Sequence, residues 1–273
     1  MQLHIHGARG SSVVSGPAFA RYGGHTTCYE IVTPEGQRLI VDAGSGLIRL
    51  QAALPQADDA QPFEATVLLT HFHWDHLLGL AAFRPLYLAS SKMQFIAIPP
   101  AGHTIESALD GAIRPPWWPV RFLDATAKKT FQPISEGTLR VGDVEVTALR
   151  LNHPGGVTGY RLEAGGRALV IATDVQIGDP ASDAALGRLA EGANVLVHDA
   201  QYTPEEWVTT RRGWGHSTWE QATAVASAAH VDRLVLTSHD VERTDDDIDT
   251  IVLAARERFA ATDAAFEGQV IDV

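Results

Sequence analysis

The sequence contains a single cysteine, Cys28, among its 273 residues. An intrachain disulfide is therefore impossible. A zinc site built from several thiolates is excluded as well, so a bound metal would have to use histidine and carboxylate ligands.

Long apolar runs are also missing. The first residues, Met1 to His6, alternate between polar and apolar side chains and contain no basic stretch. Neither a signal peptide nor a membrane-spanning helix is indicated by such a pattern. We therefore expect a cytoplasmic protein without a membrane partner.

Basic residues are few relative to acidic ones. The chain has 21 Lys and Arg against 33 Asp and Glu, which gives a formal net charge of -12. This balance opposes non-specific binding to nucleic acid, so a long nucleic acid is not the expected partner. The hydrophobic content of 45% is ordinary for a globular protein, and the length suits one large domain or two small ones.

Histidine, in contrast, is abundant, and its densest cluster is the stretch His71-Phe72-His73-Trp74-Asp75-His76. It follows the apolar run Ala65 to Thr70, which predicts a buried strand, and precedes Leu77 to Leu80, which can open a helix. Neutral imidazole is the commonest metal ligand, and Zn²⁺ also accepts aspartate oxygen. The spacing suits two adjacent metals. A polar turn that is merely rich in histidine is the alternative, and the density of ligand side chains after a strand argues against it.

Three later segments repeat this context of a ligand residue directly after an apolar strand. His153 follows Val146 to Leu151, Asp174 follows Leu169 to Thr173, and His239 follows Leu234 to Thr237. Strand ends place such side chains on a rigid scaffold. Each residue alone would be an ordinary turn residue, but together they supply the missing ligands of a two-metal site.

The remaining pattern predicts strands and helices in both halves of the chain. A polar connector is expected from Gln56 to Pro62, and an irregular region from Pro99 to Pro133. Within it, the run Pro115-Pro116-Trp117-Trp118-Pro119 is interpreted as a lid or pocket wall, with a partner interface or a buried aromatic plug as alternatives. Helices are predicted at Leu47–Ala53, Thr104–Gly111, Ser182–Glu191, Thr218–Ala229 and Asp245–Ala260.

The combined ligand pattern resembles the metallo-β-lactamase superfamily, as does the turn Asp42-Ala43-Gly44 ahead of the histidine cluster. The resemblance implies one α/β domain over residues 1–273, a four-layer αβ/βα sandwich with two mixed sheets face to face and helices outside. It also implies a ligand set: His71, His73 and His153 for the first metal, Asp75, His76 and His239 for the second, and Asp174 as the bridge between them.

Two further motifs resemble ribonuclease Z and its smaller phosphodiesterase relatives. They are Val197-His198-Asp199-Ala200-Gln201-Tyr202 and Gly213-Trp214-Gly215-His216-Ser217-Thr218. The resemblance implies that Asp199 orients His216 and raises its pKa, so that His216 can protonate the leaving group. The alternative is that His216 merely begins a helix capped by Ser217.

The sequence also departs from ribonuclease Z. The interval Pro154 to Thr173 predicts a short hairpin where that enzyme has a long arm that grips tRNA, so pre-tRNA processing is not expected. In relatives the last metal histidine directly follows the residue matching Thr237, a position that Ser238 occupies here. A shift of one residue reverses a side chain on a strand, so a bulge would have to restore His239 as the ligand.

From these patterns we expect a dinuclear metal-dependent hydrolase that cleaves a small or cyclic nucleotide-like phosphodiester through a metal-bridging hydroxide. Zinc is the expected metal, and manganese or iron would also suit the ligands. Asp75 is the expected general base and His216 the general acid, while Arg9, Arg21 and His25 are candidates for holding the substrate. The alternatives are an acyl or lactone ester hydrolase on the same metals and a metal-binding protein without catalysis. A homodimer is common among the relatives.

Overall fold

The computed structural model describes residues 1–54 and 62–273. The predicted connector from Gln56 to Pro62 lies, apart from Pro62, outside the described residues. The strands are β1 (Gln2–Gly7), β2 (Cys28–Val32), β3 (Arg38–Val41), β4 (Glu64–Leu69), β5 (Lys92–Ala97), β6 (Lys128–Pro133), β7 (Gly137–Val141), β8 (Val144–Leu151), β9 (Val157–Ala164), β10 (Arg167–Ala172), β11 (Val195–Asp199), β12 (Arg233–Thr237), β13 (Thr262–Ala264) and β14 (Val270–Asp272). The helices are α1 (Gly46–Ala53), α2 (Gly79–Ala82), α3 (Ile105–Ala112), α4 (Pro180–Ala190), α5 (Pro204–Glu206), α6 (Trp219–Ala228) and α7 (Asp245–Arg258).

These strands form two seven-stranded sheets, in the orders β14-β1-β2-β3-β4-β5-β6 and β13-β12-β11-β10-β9-β8-β7. In the first sheet β14 to β3 pair antiparallel and β3 to β6 pair parallel. In the second sheet β7 to β10 pair antiparallel and β10 to β13 pair parallel. Both sheets are therefore mixed.

Three apolar clusters create the layers. The central cluster joins residues of both sheets, such as Ile5 and Leu68 from the first and Val146 and Val197 from the second. A second cluster packs α1 to α3 on the outer face of the first sheet, and a third packs α4 and α6 on the outer face of the second. The predicted four-layer αβ/βα sandwich is confirmed.

The irregular region predicted from Pro99 to Pro133 contains one strand that the sequence pattern did not reveal. Strand β6, Lys128–Pro133, pairs parallel with β5 at the edge of the first sheet. Its side chains are exposed or half-buried, so the alternation of apolar residues that marks a strand is weak. Its last residue is a proline, which edge strands tolerate because the backbone groups along one side of such a strand have no partner strand.

The carboxyl ends of the central strands meet at one edge of the sandwich. Strands β3 and β4 run parallel in one sheet, and β8, β10, β11 and β12 share one direction in the other. Because the sheets face each other, the turns that follow these strands converge on one region. No helix in the described residues has the length and apolar character needed to cross a membrane.

Candidate metal centre

The convergent turns bring together the predicted ligand residues, with one exception. Three groups of side chains have ligand atoms that all lie within 4.8 Å of one another: His71, His73 and His153; His71, His76 and Asp174; His153, Asp174 and His216. Shared members connect the three groups, so they form one centre at the end of the sandwich.

The first part of the centre consists of three imidazoles. His153 Nε2 lies 3.2 Å from His73 Nδ1, and the His71 ring packs against both rings. His153 Nδ1 bonds to the Gly215 carbonyl at 2.8 Å, which leaves Nε2 for the centre. Burial and the neighbouring histidines hold the pKa of His71 well below its ordinary value, and burial also lowers the pKa of His153. The rings of His71 and His153 are therefore neutral, the form that ligates metals.

Gly215 is required by this arrangement. It adopts φ +94°, and a Cβ at this position would lie 2.5 Å from His153 Nδ1. Only glycine allows the backbone carbonyl to approach the imidazole so closely.

The second part of the centre surrounds His76 with carboxylates. His76 Nε2 lies 3.2 Å from Asp174 Oδ2 and 3.3 Å from Asp75 Oδ2. Burial would lower the pKa of His76, yet the surrounding carboxylates outweigh that effect and hold the pKa well above its ordinary value. In turn, His76 holds the pKa of the buried Asp174 well below the ordinary range. Two carboxylates thus converge on His76 Nε2, and a metal ion bound there would balance their charge.

Asp42 is a positioning residue whose role the sequence pattern did not reveal. Its Oδ2 accepts a hydrogen bond from His76 Nδ1 at 2.7 Å, which directs Nε2 toward the centre, where it would ligate a bound metal. Thr70 fixes the carboxylate through its backbone N–H and its hydroxyl, both at 2.8 Å. The signal was present in the Asp42-Ala43-Gly44 turn after β3, but its partner His76 lies in the turn that follows another strand, β4.

His239 does not join the centre, contrary to the expectation that it is a ligand of the second metal. Its Nε2 donates to the Ala265 carbonyl at 2.9 Å, and its ring packs edge-on against Tyr22. Burial and the nearby Arg9 charge lower the pKa of His239 to about 4. Strand β12 ends at Thr237, and the chain bends at Ser238 in a way that leaves the His239 side chain directed away from the centre.

Ser238 occupies the position that faces the centre instead. Its hydroxyl donates to Asp174 Oδ1 at 3.2 Å, and its backbone adopts φ +57°. The residue is fully buried. Ser238 therefore orients the carboxylate of Asp174, and Oδ2 of the same carboxylate remains directed toward His76.

Asp199 and His216 form a buried pair beside the imidazoles. Asp199 Oδ2 accepts from His216 Nδ1 at 2.6 Å, while Asp199 Oδ1 accepts from the backbone N–H groups of Gln201 and Ser217 at 3.1 Å. Burial lowers the pKa of His216, but Asp199 and Asp174 outweigh it and raise the pKa to about 9. The helix that follows, α6, is capped by Thr218 and not by Ser217.

The three loop residues suggested as substrate contacts have structural partners. Arg9 is 1% exposed and its guanidinium donates to the carbonyls of Gly23 and Arg243. Arg21 pairs with acidic residues on α7, and His25 Nδ1 lies 3.1 Å from Ser45 Oγ. Arg9 thus connects loops inside the protein, which does not fit contact with a substrate.

The residues fit a bound metal. Among the described residues, His71 Nε2 is buried without a hydrogen-bond partner and lies 3.8 Å from Asp174 Oδ2. An orphaned imidazole nitrogen next to converging imidazoles and carboxylates is costly unless a cation accepts its lone pair. Imidazole nitrogen and aspartate oxygen are ligands that zinc, manganese and iron share.

Comparison with known proteins agrees with this fold. Ribonuclease Z of Leuconostoc mesenteroides is 25% identical over 250 residues, covering 76% of this chain and 79% of that protein. Ribonuclease Z of Mycobacterium marinum is 28% identical over 229 residues, covering 77% and 78% of the two chains.

Solved structures give the same result. The metallo-beta-lactamase fold protein YhfI from Bacillus subtilis superposes with a TM-score of 0.72 at 18% identity, covering 99% of this chain and 98% of that one. A diphosphatase from the PhnP family superposes with a TM-score of 0.69 at 16% identity, covering 100% and 97%. The family model described as the beta-lactamase superfamily domain matches residues 37–239. The chain therefore belongs to the beta-lactamase superfamily, and it is a hydrolase with the metallo-β-lactamase fold.

Proposed function

We propose that this protein is a two-metal phosphodiesterase that cleaves a small phosphodiester. His71, His73, His153 and Asp174 would hold the first ion, and Asp75, His76 and Asp174 the second. When bound, such ions supply a nucleophilic water at neutral pH and polarise the phosphoryl group.

The pairing of Asp199 with His216 carries the proposal. The Nδ1–H of His216 donates to Asp199, so the opposite ring nitrogen, Nε2, can contact the substrate. The carboxylate favours the protonated ring, and a protonated imidazole can donate its proton to a departing oxygen. Phosphodiester cleavage needs such an acid because an alkoxide is a poor leaving group.

Asp75 is the candidate for the proton-accepting role on the other side of the centre. One of its oxygens, Oδ2, accepts the backbone N–H of Ser11 at 2.9 Å and lies beside His76. This bond fixes the carboxylate in the centre.

Charge and relatives support a small substrate. The net charge of -12 opposes a long polyanion, and strands β9 and β10 fill the interval where the long arm of ribonuclease Z would be expected. The names of the relatives, ribonuclease Z and diphosphatase, both describe cleavage at phosphorus. Phosphodiester cleavage is therefore favoured over the hydrolysis of acyl or lactone esters.

Turnover of bis(p-nitrophenyl) phosphate by protein loaded with Zn²⁺ or Mn²⁺ tests this proposal, with a panel of lactones and acyl esters assayed in parallel. We expect hydrolysis of the phosphodiester and little activity on the panel. Activity on lactones alone would favour the acyl or lactone hydrolase, and two bound metals without any turnover would favour a metal-binding protein that is not an enzyme.

The variant His216→Ala tests the acid role. We expect kcat on 2′,3′-cyclic AMP, a phosphodiester with an alkoxide leaving group, to fall by about 10²–10⁴-fold with unchanged metal content, because only the proton donor is lost. His230→Asn is the matched control, since His230 is exposed and its φ of +53° is one that asparagine tolerates. An unchanged rate in His216→Ala would contradict the acid role.

A further inference from the structure

A cavity of about 400 Å³ adjoins the metal centre on the side of His71 and His73. Its walls come from three segments: the turn after β4, the stretch from Ile98 to Gly111, and the turn between β8 and β9. This volume lies in the range of cavities that hold small organic molecules. A substrate bound at the metals would therefore extend one of its arms into the cavity.

Most of the wall is apolar or glycine, including Phe72, Ile98, Pro99 and Ala108. The run from Pro115 to Pro119, interpreted from the sequence as a lid or pocket wall, is not among the residues that line this cavity. The described residues that line the cavity include no carboxylate, and Arg150 is the one permanently charged side chain among them. In a chain with a net charge of -12, a lining free of acidic groups favours an anion.

Arg150 lines the same cavity as His71 and His73 of the metal centre. It lies near the end of β8, three positions before His153, and its Nη1 is 3.1 Å from the point where a Cβ of Gly156 would stand. Gly155 and Gly156 both have positive φ values, +85° and +83°, so the turn after His153 folds back beside the guanidinium.

The guanidinium has no ion-pair partner within 4 Å among the described residues. Glu136 Oε1 accepts from the backbone N–H of Arg150 at 2.8 Å and not from its side chain. The Arg150 side chain is exposed to the cavity and to solvent. Its donors are available to a ligand, and a guanidinium suits the two oxygens of a carboxylate or phosphate.

We propose that the cavity binds a substrate arm that ends in a second anionic group, and that Arg150 binds this group. The inference rests on the proposed function, because the first anion is the phosphodiester at the metals. The substrate class is then a phosphodiester with a compact, largely apolar arm that carries a carboxylate or a phosphate.

Calorimetry on the Zn²⁺-loaded protein tests this assignment without requiring turnover. The three ligands are benzylphosphonate, 4-carboxybenzylphosphonate and the 1,4-xylylene diphosphonate, which differ only in the distal group. We expect at least one of the two ligands with a distal anion to bind about tenfold more tightly than benzylphosphonate, the size of one charge-assisted hydrogen bond. The ligand of these two that binds more tightly identifies the distal anion as carboxylate or phosphate.

The variant Arg150→Ala should abolish the tighter binding of ligands with a distal anion and leave the affinity for benzylphosphonate unchanged. The variant Arg150→Lys should keep part of the preference for a distal anion. Arg140→Ala is the matched control, because Arg140 is an exposed arginine on the neighbouring β7 and does not line the cavity. It removes the same charge, so a general electrostatic effect would appear in both variants.

A preference that survives in Arg150→Ala, or that Arg140→Ala also abolishes, would overturn the role of Arg150. Equal binding of all three ligands by the wild-type protein would overturn the cavity as an anion site. The phosphodiesterase proposal is tested separately with bis(p-nitrophenyl) phosphate, which has no distal anion. A distal preference without turnover of that compound would support the cavity and contradict the phosphodiesterase.

Discussion

Ser238 decides how the second metal position is built. It presents a hydroxyl to Asp174 where an imidazole was expected, while His239 is directed to the Ala265 carbonyl. The second position then has fewer ligands than the first, so we expect its ion to be held more weakly. The variant Ser238→Cys adds a thiolate of nearly the same shape, and we expect the second Zn²⁺ to resist chelators at least about tenfold better.

Zinc content after dialysis against chelators of graded strength measures this effect. The variant His239→Gln is the control, because it alters the adjacent buried side chain without changing the centre. We expect it to retain the metal content of the wild-type protein. Loss of one ion per chain in the folded His239→Gln variant would show that His239 is a ligand after all.

At the scale of the elements, a buried ion-pair group joins the first three strands. Glu30 on β2 lies 2.8 Å from His6 Nε2 on β1 and 2.5 Å from Arg38 Nε on β3. Burial opposes ionisation of Glu30, but the bond to His6 and the charge of Arg38 outweigh it and lower its pKa below the ordinary 4.5. Its stabilising contribution is therefore complete above the unfolded-state pKa and is lost as the pH falls through the folded-state pKa.

We expect Glu30→Gln to lower the free energy of unfolding by about 2 kcal/mol at neutral pH, because His6 and Arg38 lose the carboxylate to which they are paired. The difference from the wild-type protein should shrink as the pH is lowered below 4.5, the ordinary pKa of a glutamate. Urea denaturation across this range measures it.

The matched control for the Glu30 variant is Glu64→Gln. Glu64 also pairs with a cation on the adjacent strand, Lys92 at 2.6 Å, but both side chains are exposed. We expect a loss within about 0.5 kcal/mol. A pH-independent difference between Glu30→Gln and wild type would refute the assigned linkage.

For the whole molecule, metal binding should couple the two sheets. Turns from both sheets supply the centre, and its buried imidazoles and carboxylates are poorly compensated without a cation. If free metal is present at about 1,000 times its Kd, the folded state gains about 4 kcal/mol. We therefore expect a chelator to lower the Tm by about 8 °C or more.

Differential scanning calorimetry with and without a chelator checks this coupling. In a His71→Ala, His153→Ala double variant the chelator should have little effect on the Tm, because the first metal position has lost two ligands. An equal Tm for the metal-loaded and stripped wild-type protein would contradict the coupling.

Local patterns in the sequence predicted much of this molecule. Apolar runs marked most strands, and the approximate positions of the longer helices were correct. The ligand types at the ends of β4, β8 and β10 were also evident, because a residue that follows a strand is placed at the sheet edge by the strand itself. Strand β6 was missed, since its side chains are largely polar and its pairing partner β5 lies far away in the chain.

The sequence by itself determined the kind of chemistry, through the histidines and aspartates that follow apolar strands. The tertiary structure decided which of two adjacent residues, Ser238 or His239, faces the centre, because side-chain direction depends on how the chain bends after β12. It also decided that Asp42 supports His76 and that Arg150 lines a cavity. Such contacts join segments distant in sequence, and no local periodicity encodes them.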